Sequence, residues 1–176
     1  QAEFDSIEMG REAGGQGSLG VLGGILSTGD MHVGLSGRGG VGISDGGRIS
    51  SQNVVVKGGG GFLVRSAEWD IAGSLTLGDG DSARFTVRDL STVTVGGGQG
   101  TVYLGVNGGS ATLFMGDGPA GLFQPGPGYL NAGAIVFGSS DSRLYVNHNL
   151  PEYIWSADMS GPGAIDLFNS LTILTG

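Results

Sequence analysis

Two histidines, His32 and His148, are the side chains whose ordinary pKa lies near neutrality, and they stand far apart in the sequence. Nucleophilic catalysis needs a nucleophile oriented by a base and a base oriented by a third group. The chain has no cysteine, no GxSxG elbow and no GTS-type serine motif with a partner histidine, so no catalytic residue is assigned and the expectation is a protein that is not an enzyme. His32 is the middle residue of MHVG and faces away from its apolar neighbours, as a solvent-facing strand residue does. Acidic glycine turns at Asp79 and Asp81 (LGDGDSARF) and Asp117 (MGDGP) share the composition of calcium-binding rolls, but a roll needs its nonapeptide in tandem. Ordinary Asp-Gly turn chemistry explains them, and no metal or cofactor is expected. Trp69 and Trp155 are taken as exposed-aromatic candidates for a carbohydrate or receptor platform, with Tyr129 beside them.

These residues must be carried by very short elements. A tetrapeptide of apolar, any, apolar, Gly returns seven times: IEMG (7–10), MHVG (31–34), LTLG (75–78), VTVG (93–96), VYLG (102–105), LFMG (113–116) and IVFG (135–138). Each is a minimal strand closed by a residue able to take positive φ at a corner. Between the copies lie Leu19/Val21, Val41/Ile43, Phe62/Val64 and Phe85/Val87, then Ile49, Trp69/Ile71 and Val93/Val95, so one period holds about three strands. Modules opening at Ile7, Met31, Val54, Leu75 and Val93 give periods of a length typical of solenoid coils. Antiparallel hairpins this short need Asn-Gly or Asp-Gly at every second junction, and DG occurs only at Asp45, Asp79 and Asp117. A parallel coil accounts for the spacing better. The expected fold is all-β, a right-handed parallel β-helix with three short strands per coil and roughly eight coils, hence a rod of about 40 Å.

Regular coils are expected over 1–116 and again over 130–176, where the aromatics Tyr145, Tyr153, Trp155 and Phe168 suggest the better-packed end. Between them 117–129 (DGPAGLFQPGPGY) breaks the pattern, since proline cannot donate to a ladder. Insertions in repeat proteins collect on the functional face, which makes Asp117, Pro119, Phe123, Pro125, Pro127 and Tyr129 the candidate interaction loop.

Glycine contributes 39 of 176 residues, enough to raise disorder as a reading, but Leu, Ile, Val and Phe number 47 and the glycines are phased against apolar pairs. A folded, turn-dense β protein follows. A net charge of −8, with Lys57 as the single lysine, argues against nucleic acid and anionic lipid as partners. No apolar run reaches the length of a spanning helix. The first residues, QAEFDS, lack the basic start and apolar stretch of a signal peptide, and the sequence reads as a piece of a longer chain.

Two stretches resemble the passengers of AIDA-type autotransporters, the self-translocating adhesins of Gram-negative bacteria secreted by the type V route. One runs from Gly39 to Gly98 and contains GGVGISDGGRISSQNVVVKG and AEWDIAGSLTLGDGDSARFTVRDLSTVTVG. The other, Leu130 to Gly176, resembles the passenger-associated repeat in its order NH, Tyr, aromatic, SGxGxI, LTG, with LPE at Leu150 to Glu152 departing from it between strand positions. The resemblance implies a β-helix on the bacterial cell surface or released from it, with the parent anchored in the outer membrane by a separate β-barrel. It also makes His148 a hydrogen-bonding residue of a coil corner, and a chain without cysteine suits passage through an oxidising periplasm.

Two functional readings follow. One is adhesion or self-association in biofilm, aggregation and virulence, with a host surface protein, matrix component, glycan or another copy of the chain as partner. The other is a structural stalk that displays an upstream domain and aids folding during secretion.

Overall fold

The computed structural model describes residues 1–118, 125–150, 152–168 and 171–175. Its strands are all parallel and stack as a β-solenoid. The first coil holds β1 (Ala2–Met9) and β2 (Gln16–Leu22), the second β3 (Ile25–Val33) and β4 (Arg38–Ser44). From the third coil onward the long first strand divides in two. That coil has β5 (Arg48–Ser51), β6 (Val54–Val56) and β7 (Gly60–Arg65), and the fourth has β8 (Glu68–Ile71), β9 (Leu75–Asp79) and β10 (Ser82–Arg88). The fifth has β11 (Thr92–Val95), β12 (Thr101–Val106) and β13 (Ser110–Gly116); the sixth β14 (Tyr129–Asn131), β15 (Ala134–Phe137) and β16 (Arg143–Asn147). The seventh has β17 (Glu152–Trp155), β18 (Asp158–Ser160) and β19 (Ala164–Phe168), after which β20 (Leu171–Leu174) pairs onto β17.

Three faces result. The start of β3 with β5, β8, β11 and β14 forms the first, and the end of β3 with β6, β9, β12, β15 and β18 the second. The third is β2, β4, β7, β10, β13, β16 and β19 in unbroken order. On each face an inward row places like over like. Leu26, Ile49, Trp69, Val93 and Leu130 stack on the first face, and Ile7, Met31, Val54, Leu75, Val102, Ile135 and Met159 on the second. Leu19, Val41, Phe62, Phe85, Leu113, Leu144 and Ile165 stack on the third. Each coil thus buries its apolar row only through its neighbours, which is why such a fold is stable as a stack and not as a single turn.

Two expectations are corrected by the register. Val93 does not succeed Leu75: it pairs with Trp69 on the first face, and Leu75 pairs with Val102, 27 positions on. The next step, Val102 to Ile135, is 33, because 117–129 is inserted there, and these longer periods leave seven coils where about eight were expected. Burial within 130–176, expected as the better-packed end, is uneven, the sixth coil burying Ile135, Phe137, Leu144 and Val146 and the seventh leaving its third face open. The largest fully buried side chains, Trp69, Phe85, Met31 and Ile71 among them, lie in the second to sixth coils, whereas Leu167 is exposed and Ile165 only half-buried. A side chain covered from one side only keeps its water.

Six of the seven tetrapeptide glycines adopt positive φ and turn the chain, the exception being Gly138.

Candidate interaction surface

The insertion sits at the corner from the third face to the first, between Gly116 at the end of β13 and Tyr129 at the start of β14, so Tyr129, counted with the loop in the sequence, is a strand residue paired with Thr92. In earlier coils two or three residues make this corner, as at Asp89, Leu90 and Ser91 between β10 and β11. Its described ends are held by both neighbouring coils. On the fourth-coil side, Pro127 forms an isolated bridge with Arg88, the Asp89 N–H donates to the Gly126 carbonyl (2.9 Å), and the Leu90 N–H donates to the Pro127 carbonyl (2.7 Å). On the other side, Asn147 Nδ2 of the sixth coil donates to the Gly118 carbonyl (3.1 Å), the Asn149 N–H to the Pro125 carbonyl (3.3 Å) and Tyr153 Oη of the seventh coil to the Gly128 carbonyl (2.8 Å). Prolines serve here as acceptors, which is the role left to a residue without an N–H. Pro119 and Phe123, two of the six loop candidates, lie outside the described residues.

Of the others, Tyr129 is exposed and stacks on Tyr153 with ring centroids 5.9 Å apart, and Leu90 beside it is 66% exposed. Pro125 is half-buried and Pro127 buried. Asp117 spends one carboxylate oxygen on the N–H of Gly118 (2.8 Å), an ordinary turn contact. Asp79 meets Lys57 Nζ at 2.7 Å and accepts from Asn107 Nδ2 at 2.6 Å, and these partners hold its carboxyl below the usual range. Asp81 accepts from the Ser82 N–H.

Trp69 and Trp155 are not surface residues, being 0% and 2% exposed. Trp69 shares the inward row with Ile49 and Val93, so strand parity sends it into the core, where Phe62 lies 4.9 Å and Phe85 6.0 Å away by ring centroid. Sequence reasoning missed a different set of aromatics. Phe114 and Tyr145 occupy the outward row of the third face and stack 5.1 Å apart, Phe168 follows at 5.8 Å from Tyr145, and Arg84 caps the column at 4.2 Å from the Phe114 ring centroid. The alternation in LFMG and LYVN carried this signal only once the inward partner was fixed.

His32 is half-exposed on the second face, whereas His148 is fully buried at the corner next to the insertion. The Leu150 N–H donates to His148 Nδ1 (3.2 Å), which places the proton on Nε2, and that atom is buried without a partner. Burial lowers the His148 pKa from its ordinary value. A histidine with a depressed folded pKa contributes stability that is complete above its unfolded pKa, about 6.5, and declines as pH falls from there toward the folded value. Melting temperature is expected to fall more steeply between pH 7.5 and 5 for the wild type than for His148→Gln. Parallel pH profiles of the two would remove His148 from the account.

No family model matches the chain, and no solved structure does. The chain is similar to the uncharacterized protein YuaQ of Escherichia coli (strain K12), with 27% identity over an alignment of 176 residues that takes in 93% of this chain and 12% of that protein. It therefore spans a small fraction of the relative it matches.

Proposed function

We propose that this chain is a segment of the β-helical passenger of a bacterial autotransporter, presented outside the cell and acting in adhesion or self-association. The observation that carries the reading is the coincidence of the passenger-like stretches with structural units. GGVGISDGGRISSQNVVVKG covers β4, β5 and β6, three strands that visit the three faces once, and AEWDIAGSLTLGDGDSARFTVRDLSTVTVG covers β8 to β11. The repeat-like stretch from Leu130 runs from β14 to β20. Similarity to a small part of a much longer protein is consistent with a segment drawn from a long repetitive rod. In this reading the outer faces meet the partner, a host surface protein, a matrix component, a glycan or another copy, and a barrel elsewhere in the parent holds it in the outer membrane.

The test is sedimentation of the purified segment over a concentration range, together with binding to immobilised matrix proteins and glycans. Concentration-dependent association, or saturable binding that weakens when 117–129 is deleted, is the expected outcome. A strict monomer that binds nothing would put the stalk in its place.

A further inference from the structure

Charge is sorted by face. The seven strands of the third face carry five of the eight basic residues, Arg38, Arg65, Arg84, Arg88 and Arg143, and one acid, Asp166, which pairs with Arg143 at 3.1 Å. All the other strands together carry nine acids and Arg48. Register puts Arg65 directly beside Arg88, a like-charge pairing that disfavours the fold. Among the described residues Arg38, Arg65 and Arg84 make no ion pair, and Arg88 Nε, 3.6 Å from Asp89, is buried without a hydrogen bond.

The outward side of the same face steps abruptly. Over the last three coils it bears Phe114 and Tyr145; over the first three it is nearly bare, with Gly20, Gly40, Gly42 and Gly61 in outward positions. None of these four has positive φ; a Cβ on Gly42 would meet nothing within 4 Å, on Gly40 and Gly61 only atoms at ordinary contact distance, 3.7 and 3.8 Å, and on Gly20 only the movable side-chain end of Leu22 at 3.3 Å. Glycine inside a strand is destabilising, and neither backbone angle nor space demands it here. The result is an open trough of about 460 Å³ with Gly40, Gly42 and Gly61 on its floor, Leu63 and Thr86 along it, and Arg84, Arg88 and Asp117 where it meets the step.

We infer that this trough binds an acidic polysaccharide, whose rings lie over the glycine floor while its carboxylate or sulfate groups pair with Arg84, Arg88 and Arg65. The inference rests on the adhesive reading and names its ligand class. A guanidinium presents paired donors in the geometry that carboxylate and sulfate accept, and among the described residues Arg65 and Arg84 spend none of theirs on an acid of the chain. Arg84 and Arg88 lie about 13 Å apart along the strand, so the anion they fit is extended and not a single group. A protein partner would want sockets for anchoring side chains, which a glycine floor does not offer.

The test is binding of the whole segment to immobilised heparin and alginate, with neutral dextran and duplex DNA as comparisons, at low and high salt. Saturable, salt-sensitive binding to the two acidic glycans and none to dextran is expected. Arg84→Ala with Arg88→Ala is expected to weaken it about tenfold or more, while Arg48→Ala leaves it unchanged. Gly42→Trp, which fills the trough, is expected to abolish binding while melting at or above the wild-type temperature. Absence of glycan binding, binding indifferent to both trough variants, or equal binding to duplex DNA lost in the same variants would each overturn the inference. If the segment then still self-associates or binds a matrix protein, the adhesive reading survives without it.

Discussion

Replacing Trp69 by alanine is expected to lower the unfolding free energy by about 3–5 kcal/mol, read as a shift of the denaturant midpoint at constant protein concentration. Trp69 lies at the centre of an interior aromatic cluster that spans the third and fourth coils, with Phe62 and Phe85 5.5 Å apart by centroid and both in ring contact with it. Its indole N–H donates to Ser51 Oγ at 3.0 Å, so the ring is fixed by a polar contact as well as by packing. The loss is a large part of the roughly 5–15 kcal/mol that holds a domain together. Because contacts in a solenoid run only between neighbouring coils, a cavity in the fourth coil weakens the coupling of the coils below to those above. The transition of the variant is therefore expected to broaden. Trp155→Ala, in the seventh coil and away from this cluster, is expected to leave the main transition in place. A Trp69→Ala midpoint within about 1 kcal/mol of wild type would show that the cluster collapses around the gap and that the fourth coil is not its keystone.

The fold was legible because the period of apolar residues is itself the structure. Leu19/Val21, Val41/Ile43, Phe62/Val64 and Phe85/Val87 fall on one face in sequence order, as their spacing predicts. What spacing could not supply was the face of each strand. VTVG and LTLG have the same pattern, yet β11 and β9 lie on different faces, because the tetrapeptide encodes a strand and a corner but not which corner. The insertion 117–129 was equally plain from its prolines, but its backbone anchors on Arg88, Asp89 and Leu90 depend on a coil more than thirty residues earlier.

The candidate surface was less legible for the same reason. Trp69 looks like a platform when judged by size and like core when judged by its alternation with Ile71, and the alternation was the better guide. Conversely, Phe114 and Tyr145 sit between apolar neighbours, so period two alone does not say which row faces water. Charge sorting was invisible in a composition of eight basic and sixteen acidic residues, since the arginines of the third face are spread from position 38 to 143 and meet only through register.

Alanine at Gly78 is expected to destabilise the chain by about 3 kcal/mol or more, and alanine at Gly80, two residues on, by only about 1 kcal/mol. The two glycines have nearly the same backbone angle, φ +74° and +72°, so the left-handed penalty of a side chain is common to both. They differ in space. A Cβ on Gly78 would lie against the carbonyl of Ser110 in the next coil and 3.0 Å from that of Asp81, neither of which can move without disturbing the ladder between β10 and β13. A Cβ on Gly80 finds its nearest atom, the Asn107 carbonyl oxygen, at 3.9 Å. Thermal melts of the two variants therefore separate the conformational reason for a corner glycine from the packing reason. Equal losses would mean that φ alone selects glycine at these corners. A gap of about 2 kcal/mol would mean that close stacking of coils sets the glycine content of the rod, and that bare positions such as Gly42, which meet neither condition, owe their glycine to something outside the fold.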